Sequence, residues 1–245
     1  MFKIGHSGNP HIMAVDPNYG GVMTNRSLVF LLCACFAGAS AASLCESGLR
    51  QSPIDIRNSK KQSLPELGFG YRAEPLRLAN DGHTVRVRFK DGGMLSIGKQ
   101  NYTLQQFHFH TPGGDRIAGE EFPMAAHLLH KSASGQLLAI VVPFRLGTEN
   151  ALLNTVFSRI PAQRDGDHVL ASEPVNALAL LPKDHGYFRY SGSLTASPCT
   201  EGVDWIVMKQ PLELSAAQLA LYKSKFADNI RSPRALNQRV VLESP

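Results

Sequence analysis

A chain of 245 residues can bury one sizeable core, and 43% hydrophobic with 18% charged residues is the make-up of a folded globular protein. Twenty-one glycines and 15 prolines supply many turns and favour a β-rich fold over a helical bundle. The formal charge of +5 is scattered, with no basic run interleaved with aromatics, which speaks against nucleic-acid binding.

The chain order begins with an export pattern. Arg26 precedes the apolar run Leu28 to Ala37, and small residues follow from Gly38 to Ser43. Ala39-Ser40-Ala41 places small residues at −3 and −1 of a cleavage point, as a signal peptide requires. The apolar run is too short for a membrane span, so none is expected after cleavage. Residues 1–41 therefore read as an N-terminal extension plus signal peptide, and 42–245 as the mature domain, periplasmic or secreted. Met23, followed by Thr24-Asn25-Arg26, is the better start for such a signal. Cys33 and Cys35 leave with the apolar run. Cys45 and Cys199 remain, and in an oxidising compartment a disulfide between them is the simplest reading. Closing so long a loop stabilises the fold by several kcal/mol in the chain-entropy account.

Short β-type runs recur after that. They are Thr84 to Phe89, Tyr102 to His110, His127 to His130, Leu137 to Phe144 and Trp205 to Met208. The first alternates apolar and charged residues and predicts a half-buried strand. Turn residues separate the runs at Asp91-Gly92-Gly93, Pro112-Gly113-Gly114-Asp115 and Ser132-Ala133-Ser134-Gly135, the last a hairpin connection. One helix is predicted at Ser215 to Tyr222, with Ser215 as its N-cap. The class is mostly β with minor α, in a single domain.

His108 and His110 sit two apart in a strand-like segment, so both point to one face, and Phe107 and Phe109 to the other. Two imidazoles so placed can meet one metal ion. His127 or His130 can complete a set of three if their segment folds back antiparallel; parity alone does not choose between them. Three neutral imidazoles suit zinc and leave a fourth position for water, the pattern of a catalytic site.

Gln106-Phe107-His108-Phe109-His110 resembles the zinc-ligand strand of α-class carbonic anhydrases of the bacterial, exported type. Pro123 to His130 resembles the strand with the third ligand, which selects His127. Gln51-Ser52-Pro53-Ile54-Asp55-Ile56 is similar to an early motif of the family. Gly192-Ser193-Leu194-Thr195, with Pro198 to Gly202 and Trp205, is similar to its active-site loop. Asn229, Arg231, Leu236, Asn237 and Arg239 echo a C-terminal motif, and Cys45 and Cys199 match the family's cysteine pair. The match runs in order over residues 44 to 241.

The resemblance implies a domain on a large, mainly antiparallel, twisted central sheet with short peripheral helices. It implies Zn2+ on His108, His110 and His127, and a lyase that reversibly hydrates carbon dioxide to bicarbonate and a proton through zinc-bound hydroxide. Carbon dioxide and bicarbonate are then its small-molecule partners; subunit number is left open. Thr195 would orient the hydroxide, His83 in Gly82-His83 would carry the proton out, and Leu129, Leu194, Val203 and Trp205 would form the apolar wall for carbon dioxide. Two family residues are missing. Gly114 stands where a glutamate holds the threonine hydroxyl, and Ala125 where a glutamate bonds the third histidine's ring. Losing such supports typically costs about 10–100-fold in metal affinity or activity. The expected enzyme is therefore of reduced activity; a catalytically impaired carbonic-anhydrase-like binding protein, and more distantly a zinc esterase, are the competing readings.

Overall fold

The computed structural model describes residues 44–245. The signal-peptide reading, Met23, Cys33 and Cys35 lie outside them. Eight strands carry the domain: β1 (Glu74–Asn80), β2 (Val85–Arg88), β3 (Gln100–His110), β4 (Met124–Ser132), β5 (Leu137–Leu146), β6 (Asp165–Val175), β7 (Tyr187–Ser193) and β8 (Glu201–Met208). They order as β6-β1-β2-β3-β4-β5-β8-β7, continued by the short strands Leu242–Glu243 and Lys60–Lys61, within a sheet of thirteen strands among the described residues. Pairing is antiparallel throughout the first six; β5 and β8 run parallel. The domain is thus mostly β, on a large and mainly antiparallel sheet.

Both faces of the sheet are covered, and the alternation of each strand divides the core in two. Phe107, Phe109, Ala126, Leu128, Ile140, Val142 and Ile206 enter the larger cluster, with the helices α1 (Ala151–Phe157) and α2 (Ala216–Lys223) packed on it. Their neighbours Ala125, Ala139, Val141, Val203 and Trp205 enter a second cluster on the opposite face, together with Ile54 and Tyr190. Burial on both sides explains why β5 reads as an almost continuous apolar run.

The predicted connections form as expected. β4 and β5 pair as a hairpin, with Gly135 at φ +88° in the turn. Ser215 caps α2, and Gln218 completes a capping box by reaching back to the Ser215 N–H. Gln218 also donates to Asn150 O and Asn154 Oδ1, which ties α2 to α1. Cys45 and Cys199 form a disulfide spanning 154 residues of sequence, with their Cα atoms 5.0 Å apart. No helix among the described residues is long and apolar enough to cross a membrane.

Candidate metal centre

Strand register brings the three histidines together. His127 on β4 lies directly opposite His108 on β3, and Ala125 opposite His110. Residues opposite one another in an antiparallel pair share a face, so His127 joins His108 and His110 on the side of the second cluster. One ring nitrogen from each lies within 4.8 Å of the other two. His130 falls on the other face, fully buried, with its Nε2 2.6 Å from the Tyr71 hydroxyl. The register thus separates the two histidines that sequence parity left open.

The hydrogen bonds around the rings define their tautomers. His108 Nδ1 meets Gln106 Oε1 at 3.0 Å, and His110 Nδ1 meets the Asn229 carbonyl at 3.2 Å. Both partners are acceptors, so each Nδ1 carries the proton and each Nε2 a free lone pair. Those two Nε2 atoms lie 3.1 Å apart. Two lone pairs facing each other repel unless a cation stands at their meeting point, so the pair fits a metal ion. Burial holds His108 and His127 well below the usual histidine range, His108 lowered further by His110 and Arg86 and His127 by His110 and His108; burial also lowers His110 to about 4 against the raising effect of Asn229. All three are therefore neutral at physiological pH, as ligation requires. His127 differs in one respect: its Nε2 is buried and has no partner.

Asn229 is the latch of the site. Besides its carbonyl on His110, its side chain accepts from Thr111 N–H and donates to the carbonyls of Phe109 and His83. Tyr222 of α2 donates to the same Phe109 carbonyl at 2.9 Å. One helix and one loop thereby hold the end of β3 that carries His108 and His110.

A cavity of about 270 Å³ opens beside the histidines. His108 and His127 line it with Leu129, Leu194, Val203, Trp205 and Thr195, so it gathers the residues expected to receive carbon dioxide. Trp205 is fixed by a 3.0 Å bond from Nε1 to Ser193 O, and its ring stands edge-on to His127 at 5.2 Å. Glycine is required at 192, where a Cβ would fall 2.1 Å from Ser52 Oγ and 2.6 Å from the Trp205 ring. The loop carrying Thr195 is pinned through Gln51, which donates to Cys199 O, and through Arg231, which donates to Gln51 Oε1 and reaches Cys199 Sγ. No partner for the Thr195 hydroxyl occurs among the described residues. His83 is exposed on the turn after β1 and does not line the cavity; Asp81 accepts from its N–H.

Of the acidic residues that follow Gly114 in sequence, none takes the place of a missing glutamate. Glu120 and Glu121 are exposed on a short strand, and Glu121 pairs with Arg116. Asp115 is buried, but its Oδ1 accepts from Ile54 N–H and the Tyr190 hydroxyl while Oδ2 has no partner. Desolvation raises its pKa from the ordinary 3.8 to about 6, against the lowering effect of the Ile54 and Tyr190 bonds and of Arg239. The folded state therefore holds this proton more tightly than the unfolded chain. The resulting stability is complete below pH 3.8 and lost as pH rises through about 6. Asp115→Asn keeps an acceptor for Ile54 and Tyr190 but cannot ionise. Denaturant melts from pH 4 to 6.5 are expected to show the native chain losing roughly 2 kcal/mol more than the variant over that range; parallel curves would refute it.

Comparison with known proteins agrees with this geometry. The sequence profile of the eukaryotic-type carbonic anhydrase family matches residues 38–245. A carbonic anhydrase of Klebsiella pneumoniae is 40% identical over 202 residues, covering 81% of this chain and 82% of its own. One from Pectobacterium carotovorum is 38% identical over 201 residues, covering 82% of each chain. The solved structure of the Photobacterium profundum alpha-carbonic anhydrase superposes with a TM-score of 0.77 at 35% identity, covering 82% of this chain and 92% of that one.

Proposed function

We propose that this chain, which belongs to the eukaryotic-type carbonic anhydrase family, holds one zinc ion on His108, His110 and His127 and catalyses the reversible hydration of carbon dioxide. The observation that carries the reading is the pair of Nε2 lone pairs 3.1 Å apart, with both rings oriented from behind by Gln106 and Asn229. Bound zinc supplies Lewis acidity that makes a hydroxide nucleophile available near pH 7. The chain's own residues do the rest. Leu129, Leu194, Val203 and Trp205 exclude water from the wall of the cavity and present an apolar surface to carbon dioxide. Thr195, on the same wall, orients the attacking oxygen through its hydroxyl. His83, exposed on the turn before β2, takes the proton to solvent, a task suited to an imidazole.

The Cys45–Cys199 disulfide supports an exported protein, periplasmic or secreted, whose residues 1–41 are an extension and cleaved signal. A second reading, a catalytically impaired carbonic-anhydrase-like binding protein that holds zinc weakly or not at all, is favoured by the unpartnered His127 Nε2. Zinc stoichiometry and stopped-flow hydration on the same sample separate the two. One zinc per chain with a rate above buffer is expected. No rate above buffer, with zinc bound or with none, selects the second reading, and absence of zinc defeats the first.

A further inference from the structure

Arg86 stands opposite His108 in the register of β2 and β3, so it shares the face of the three histidines. It lines the same cavity, and it is the one charged residue in that wall among the described residues. Its guanidinium is held from one side, where Nη2 donates to Asp81 Oδ2 at 2.6 Å. Asp81 is itself fixed by accepting from the His83 and Thr84 N–H groups. Nε of Arg86 is buried and has no partner. Nη1 and the second hydrogen of Nη2 make no hydrogen bond among the described residues, so beside an otherwise neutral cavity the end of the guanidinium is a receptor for a planar oxyanion, which its fork can meet with two parallel hydrogen bonds.

We propose that Arg86 is an anion-recognition residue, binding bicarbonate or a carboxylate-like anion in the cavity beside the histidines. That the anion is bicarbonate rests on the carbonic anhydrase reading; that the site takes a planar oxyanion does not. A neutral carbon dioxide molecule gains nothing from this charge, whereas the anionic product does. Arg86 therefore favours the anion over the gas.

The test is bicarbonate binding to metal-free protein, read from 13C line broadening at pH 8 and constant ionic strength. Arg86→Gln is expected to weaken binding about tenfold, the usual scale for one charge-assisted contact. Arg86→Lys, which keeps the charge and loses the fork, falls between, and it remains informative if the glutamine variant fails to fold. Arg88→Gln removes the same charge two residues along β2, where Arg88 pairs with Asp167 outside the cavity, and is expected to change nothing. No binding by the native chain, equal binding by Arg86→Gln, or an equal loss in Arg88→Gln overturns the proposal. A parallel arm measures inhibition of zinc-loaded protein by nitrate, a planar oxyanion, where Arg86→Gln should raise the inhibitory concentration by a similar factor. Failure to load zinc would count against the hydration reading alone, since the metal-free arm stands without it.

Discussion

Replacing His127 by alanine is expected to abolish stoichiometric zinc binding and bring carbon dioxide hydration down to the buffer rate, while the chain stays folded. The remaining pair, His108 and His110, supplies two nitrogens 3.1 Å apart, one short of the three protein ligands a catalytic zinc site uses. The fold tolerates the change because the ring's Nε2 makes no hydrogen bond to lose and the ring borders the cavity. His130→Ala should behave in the opposite way. That ring is fully buried on the other face, and its removal strands the Tyr71 hydroxyl, itself buried, without its 2.6 Å partner. A lost buried partner costs about 1–3 kcal/mol, and the vacated volume adds to it. Metal content by emission spectroscopy and a thermal melt on both variants decide the matter. Zinc lost from His130→Ala, or retained in His127→Ala, would refute the assignment of the third ligand.

That contrast marks where the sequence stops being sufficient. The division of β3 into a phenylalanine face and a histidine face is legible from its period of two, because both residues of each pair lie on one strand. The choice between His127 and His130 is not, since it depends on how β4 registers against β3, a tertiary quantity; family resemblance made it, and the register explains it. Helix α2 was legible because its capping box is local. Helix α1 was not: its apolar face, Leu152, Leu153, Val156 and Phe157, lies within seven residues, too short a window for the helical period to stand out. Strand β6 was hidden for another reason: it lies at the sheet edge, mostly exposed and polar, so no apolar run announces it. The latch residues were out of reach for the same reason as the register. Asn229 meets His110 across 119 positions and Tyr222 meets Phe109 across 113, and neither contact leaves a local pattern. Arg86 reads in sequence only as one charged position of an alternating strand. Its place in the cavity follows from the pairing of β2 with β3.

Ala125→Glu is expected to raise zinc affinity and hydration by about 10–100-fold, the usual worth of a partner behind a metal-bound histidine. Ala125 lies two residues before His127 on the same face of β4, and the His127 Nε2 that such a carboxylate would accept from is buried and unpartnered. Without metal the new carboxylate is a buried charge, so metal-free Ala125→Glu should melt earlier than the native chain and recover more on zinc addition. An unchanged zinc-induced shift in melting would show that His127 does not lack this partner. The other missing glutamate is not restored so simply. Gly114 has φ +90°, where a side chain is strained by about 1–3 kcal/mol, and a Cβ there would lie 2.9 Å from Ile230 Cγ1. Gly114→Glu should therefore destabilise the turn without delivering a carboxylate to Thr195, and the neighbouring Asp115 is already bound to Ile54 and Tyr190. The two departures thus differ in kind. At Ala125 the backbone is an ordinary strand and only the side chain is short; at Gly114 the backbone itself is built for glycine. One substitution is therefore expected to improve zinc affinity on this scaffold, whereas holding the Thr195 hydroxyl is expected to need the turn after His110 to be rebuilt.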